Sequence, residues 1–184
     1  MANEKESITL EDEQVYDKVL LDDLLINNHI DEFRDEFLSM HTYEQSEYFE
    51  DSDEGIRQRI FEVLSPEEVA DFFEQLEIDE DEYEALFDTM DANYASKILE
   101  DMSYDNAVDI MNQLSKQKTV SLLTLMKRED AKEIKALLHY DEDTAGGIMT
   151  TEYISLKATM PVKEALIHVK EQALMQKQFM LFLQ

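Results

Sequence analysis

Asp105 and Asp109 are the two side chains in this sequence whose type and spacing best suit a definite chemistry. Four residues apart, they project from one face of any helix that contains them. Two exposed carboxylates on one face make a sparse oxygen site for a hard divalent cation, with water filling the other positions. A plainer role competes: acids in the first turns of a helix interact favourably with its positive end by about 0.3–1 kcal/mol. Spacing alone leaves both readings open.

The remaining chemistry-bearing residues are less suggestive. His29, His41, His139 and His168 show no HxxxH or other metal-ligating interval, so surface or packing roles are expected. The run EYFEDSDEG (47–55) lacks the spaced ligands and terminal glutamate of a calcium loop, and EIDEDEYE (77–84) reads as a solvated linker and helix start. Serines occupy cap positions and none lies in a GxSxG elbow. Cysteine is absent, which excludes disulfides and thiolate metal sites and fits a reducing cytosol. With no paired acid and base in view, an enzyme is not expected.

The elements that must position the two aspartates are legible from a repeat. Large apolar residues fall twelve apart at Met90, Met102, Leu114, Met126 and Leu138, and Leu64 and Leu76 show the same interval. Within the units Val69, Phe72 and Phe73, then Ala95, Ile98 and Leu99, Ala107, Ile110 and Met111, Leu122 and Leu123, and Ala131 and Ile134 fall on one helical face. Ser65 before Pro66, Asp91, Ser103 and Ser115 follow the unit boundaries and suit the N-cap. Each unit therefore reads as a helix of about ten residues that must stack on its neighbours to bury its stripe. Upstream, Val15, Val19, Leu20, Leu24 and Leu25 suggest one longer helix. Ile30, Phe33 and Phe37 suggest a second, Ile56, Ile60, Phe61 and Leu64 a third, and Tyr83, Leu86, Phe87 and Met90 a fourth. The fold class expected is mainly α, a superhelical stack of about ten short helices. Three Gly and two Pro in 184 residues agree with it.

Charge narrows the partners. The net charge of −28 is concentrated early: residues 1–100 hold 32 Asp/Glu against 6 Lys/Arg, residues 101–184 hold 12 against 10. Such a field repels phosphates and attracts cations, so nucleic acid and anionic membrane surfaces are poor partners, although acidity also serves solubility. No stretch of about 18 apolar residues occurs, so direct membrane insertion is not expected. The acidic start, MANEKESITLEDEQ, lacks the apolar core of a secretory signal.

The helical repeat stops after Leu138. Gly146 and Gly147 break it, Tyr153 to Leu156 reads as a short strand, and Pro161 opens a helix with Val162, Ala165, Leu166 and Val169 as its apolar face. The run Tyr140-x-Glu142-Asp143-Thr144-Ala145-Gly146-Gly147-x-Met149-Thr150-x-Glu152-Tyr153 closely resembles the junction of MgtE-type magnesium transporters. There it joins a helical N-domain to the first of two CBS domains. LSPEEVADFFEQL (64–76) and MDANYASKILEDMSYDNAVDIMNQL (90–114) also resemble that N-domain, so the likeness covers roughly residues 54–170.

The resemblance implies an N-terminal domain over 1–145 and an incomplete α/β first CBS domain over 146–184. It implies a Mg²⁺-sensing regulatory region at the cytoplasmic face of the cell membrane, with metal bridging N-domain and CBS domains to close the pore. The partners are then the CBS domains and pore of the same transporter, absent from this chain, in a homodimer. The segment Ser103 to Asp109 aligns without gaps to family residues that carry ligands, which implies Asp105 and Asp109 as Mg²⁺ ligands. Asp71 stands where the family has a carboxylate ligand, and Gly147 matches a glycine whose carbonyl can contribute. The other ligands lie in parts this chain lacks, so weak Mg²⁺ affinity is expected. A metal-independent scaffold, similar to the short-helix repeats of flagellar rotor switch proteins, is the alternative; the TAGGxMTxEY junction speaks against it.

The tail ALMQKQFMLFLQ (173–184) departs from the family, which here resembles Asp-Ala-Glu-Thr-Ile-Tyr followed by apolar residues. Codons for that hexapeptide, read one base out of frame, can spell Met-Gln-Lys-Gln-Phe-Met. A frameshift near residue 174 is therefore expected, with plain truncation the alternative; the coding DNA decides between them.

Overall fold

The structure, a computed structural model, describes residues 16–140, 144–146, 149, 153–173 and 180–183. Ten helices occupy the first part: α1 (Lys18–Ile26), α2 (Ile30–Ser39), α3 (Thr42–Glu50), α4 (Glu54–Val63), α5 (Pro66–Phe73), α6 (Glu80–Thr89), α7 (Ala92–Asp101), α8 (Tyr104–Gln113), α9 (Lys116–Leu125) and α10 (Arg128–Leu137). A strand β1 (Tyr153–Leu156), a helix α11 (Val162–Ala173) and a strand β2 (Met180–Leu183) follow. The mainly α class and the stack of about ten short helices are as the repeat predicts.

The boundary residues of the repeat explain the sharp turns. Met90, Met102, Leu114 and Met126 are C-caps with extended backbone, and Asp91, Ser103, Ser115 and Lys127 directly after them are N-caps, also extended. Two extended residues reverse the chain, and the apolar C-cap side chains of Met102, Leu114 and Met126 turn into the core. Each helix then packs on the next but one: α3 on α5, α5 on α7, α7 on α9, and in a second row α6 on α8 and α8 on α10. Stacking of this kind buries faces that ten-residue helices could not bury alone.

The earlier helices are joined differently, through rings. Phe33, Phe37, Tyr48, Phe49, Phe72 and Phe73 are fully buried or nearly so. Phe49 meets Phe72 at 5.5 Å and Phe73 at 5.4 Å between centroids, and Phe37 meets Phe72 at 5.6 Å. Such pairs add about 0.5–1.5 kcal/mol each beyond their buried area. Between α1 and α2, Asn28 takes a positive φ of 60°, which Asn tolerates better than most residues, and its side chain accepts from Arg59 at 2.9 Å.

Three expectations need correction. Helix α3 was not anticipated, because its buried residues Gln45, Ser46, Tyr48 and Phe49 mix polar and aromatic types and show no apolar period. In α1 the buried face is Leu21, Leu24 and Leu25, whereas Val19 is 79% and Leu20 41% exposed; Val15 lies outside the described residues. The departing tail nevertheless supplies a strand. Met180 to Leu183, four contiguous apolar residues, pairs in parallel with β1, Tyr153 opposite Met180 and Leu156 opposite Leu183.

Candidate metal centre

Asp71 is set by a firmly anchored α5. Pro66 occupies its first turn, the Ser65 hydroxyl accepts from the Glu68 amide at 3.3 Å, and Glu68 accepts from the Ser65 amide at 2.8 Å. Glu68 also receives both guanidinium nitrogens of Arg34, at 2.6 and 2.9 Å, which ties α5 to α2. Burial works against the Glu68 charge, but Arg34 and the Ser65 donors outweigh it and hold the carboxyl below its ordinary range. Asp71, one turn further on, is exposed and has the opposite environment. Partial burial, then the charges of Glu67, Glu74, Glu68 and Asp101, push its carboxyl above the ordinary value. A cation there would relieve that repulsion.

Asp105 and Asp109 lie on α8. Its N-cap is Ser103, as predicted, but the serine side chain makes no capping bond. Instead the Ser103 amide donates to Glu74 Oε1, from the C-cap of α5, at 2.6 Å. Tyr104, the first helical residue, donates its hydroxyl to Asp130 Oδ1 of α10 at 2.9 Å. Asp105 is half-buried, and its Oδ1 is shielded from solvent without a hydrogen-bond partner. Asp109, one turn on, is exposed and near Tyr83, whose hydroxyl is raised by burial, Glu50 and Asp109.

Asp105 and Asp109 thus share a face as their spacing requires, and Asp71 is coupled electrostatically to Asp101 at the end of α7. Among the described residues, no three His, Cys, Asp or Glu side chains converge into a group that could hold a metal by themselves. Gly147 lies outside the described residues. Gly146 before it packs so closely on the Tyr140 ring that a Cβ would overlap the ring atoms, which accounts for glycine there.

What the sequence does not reveal is the work done by other acids. Glu50 Oε1 accepts from the Glu77 amide at 2.9 Å, Glu84 from the Ser115 amide at 2.8 Å and its hydroxyl at 2.9 Å, and Glu100 from the Lys127 amide. With Glu74, four glutamates clasp backbone donors across the stack. Partner separations of 27 to 31 residues give them no local sequence signal. Glu84, read as part of a solvated run, is held below its ordinary range by the Ser115 amide first, with Lys118 assisting. His41 caps α3, accepting from the Tyr43 amide at 3.3 Å, an ordinary structural role.

Comparison with known proteins agrees with the resemblance. The profile of the MgtE intracellular N domain matches residues 40–143. The magnesium transporter MgtE of Enterococcus faecalis is 42% identical over 154 residues, 84% of this chain and 34% of that protein. The magnesium transporter MgtE of Bacillus subtilis is 22% identical over 158 residues, again 84% of this chain and 34% of its own length. The chain therefore spans about a third of the curated relatives it matches. A crystal structure of the soluble part of a magnesium transporter aligns with TM-score 0.81 and 39% identity, over 91% of this chain and 66% of that one. The cytosolic domain of the Mg²⁺ channel MgtE in complex with ATP shares the fold, with TM-score 0.74 at 22% identity, over 90% of this chain and 68% of that one. No described helix is long and apolar enough to cross a membrane. With a family match extending over more than half of its residues, the chain belongs to the MgtE intracellular N-domain family.

Proposed function

We propose that this chain is the cytoplasmic Mg²⁺-sensing region of a magnesium transporter, with Asp105, Asp109 and Asp71 as its ligands. Mg²⁺ keeps several waters and takes only one or two carboxylates from any one element, so a sparse set of acids suits it better than a closed cage. The observation that carries the reading is Asp105 Oδ1, a carboxylate oxygen buried without a donor. A polar atom left so costs free energy, and a bound cation supplies what the protein does not. Family membership and the raised carboxyl of Asp71 support the same ion chemistry.

The remaining ligands come from CBS domains of the same transporter, in a homodimer at the cytoplasmic face of the membrane, and Mg²⁺ bridging the two sides closes the pore. The boundary falls at 145/146, with the first CBS domain starting at 146. In support, the helical core cluster ends at Leu138, and Ile154 and Leu156 are buried outside it.

Amide NMR during a Mg²⁺ titration tests the reading. Shifts centred on Asp105, Asp109 and Asp71, lost in the Asp105→Ala/Asp109→Ala protein, are expected. Shifts spread evenly over the acidic surface, equal in both proteins, contradict it.

A further inference from the structure

We propose that Glu74 is a positioning residue for the Mg²⁺ site, holding the first turn of α8, and with it Asp105, against α5. The inference rests on the Mg²⁺ reading above.

The need for it is local. In α5 the N-cap amide of Ser65 is satisfied within the helix, because the third helical residue is Glu68 and reaches back to it. In α8 the third helical residue is Asn106, so no glutamate closes that box. The Ser103 hydroxyl makes no capping bond, and Ser103 is only 6% exposed, so water is a poor substitute. Glu74 supplies the acceptor from 29 residues away, with a charge-assisted bond of 2.6 Å. On the other side, Tyr104 is tied to the buried Asp130 of α10.

Asp105 follows directly on these two tied residues, in the first turn of α8. Since its Oδ1 has no hydrogen-bond partner, the placement of that oxygen depends on the backbone of the turn rather than on a bond of its own. Glu74 is also three residues after Asp71, one turn along the same segment. One carboxylate therefore ties the first turn of α8 to the segment that carries the α5 acid.

Glu74 could instead act only as one more negative charge near the ion, and two substitutions separate these roles. Glu74→Gln removes the charge but keeps an oxygen that can accept from Ser103; Glu74→Ala removes both. In metal-free protein, Glu74→Ala should lose hydrogen-exchange protection at the Ser103 amide while Glu74→Gln retains it. In the Mg²⁺ titration, Glu74→Ala should weaken the response at Asp105 and Asp109 roughly tenfold, as loss of a supporting partner does in metal sites, with Glu74→Gln close to wild type. Equal weakening by both substitutions overturns the proposal in favour of a field effect. Wild-type protection of Ser103 in Glu74→Ala, or an unchanged Mg²⁺ response, overturns it as well. A wild-type protein with no Mg²⁺ response at α8 removes the proposed function instead. The metal-free Ser103 measurement then still decides whether Glu74 holds the turn.

Discussion

The stack from α2 to α5 and the stack from α7 to α10 are built from helices of similar length, yet they are held together differently. The first is an aromatic hub in which Phe49 touches Phe61, Phe72 and Phe73, and Phe37 touches Phe33, Tyr48 and Phe72. The second is aliphatic and periodic, with Ile98, Leu99, Met102, Ile110, Met111 and Ile134 in its core and glutamates clasping the N-caps of α8 and α10. A hub concentrates stability in a few large side chains, whereas a periodic stack distributes it over many smaller ones. The candidate ligands lie on either side of this division, Asp71 on α5 and Asp105 and Asp109 on α8, with Glu74 joining the two.

The largest test of that contrast is truncation of one core residue from each side. Phe49→Ala should cost about 3–5 kcal/mol in urea unfolding, and Met102→Ala should fall in the lower part of the 2–5 kcal/mol range, about 2–3. Equal losses would mean that the aromatic hub holds no special share of the stability.

A smaller effect comes from the tie between α2 and α5. Glu68→Gln should destabilise the protein at neutral pH by about 1–2 kcal/mol, since a bidentate, partly exposed ion pair is lost. Because the folded protein holds the Glu68 carboxyl below its unfolded value, this stability is complete above the ordinary carboxylate range. It is lost as pH falls through the depressed folded value, so wild type and variant should converge in acid melts. Smaller still is Asp71→Asn, on the same helix and with the opposite sign. The raised Asp71 carboxyl opposes folding above its folded value, and that penalty vanishes below the unfolded value, where both states are protonated. Asp71→Asn should therefore raise the unfolding free energy at neutral pH slightly, by less than about 1 kcal/mol given solvent screening, with the gain fading in acid. Loss of stability instead would show that the Asp71 charge supports the fold.

The two regions also differed in how much their sequence disclosed. The twelve-residue interval located α7 to α10 and their turns, because each apolar C-cap precedes a residue that begins the next helix. In the aromatic part, α3 escaped notice, since Tyr48 and Phe49 are adjacent and the helix also buries Gln45 and Ser46. Gln45 is buried because its amide bonds the Phe37 carbonyl at 2.9 Å, a contact that periodicity cannot anticipate. Likewise, the shared face of Asp105 and Asp109 followed from spacing. The metal role proposed for them came from resemblance, and the orphaned oxygen and the Glu74 tie required three dimensions.

Thermal melting in Mg²⁺ against NaCl of matched ionic strength, for wild type and Asp105→Asn/Asp109→Asn, tests the central claim most directly. An ion bound only by the folded state stabilises it by about 1.4 kcal/mol at ten times its Kd. The account predicts a Mg²⁺-specific rise in wild-type Tm that the double variant lacks. An equal rise in both proteins would contradict it.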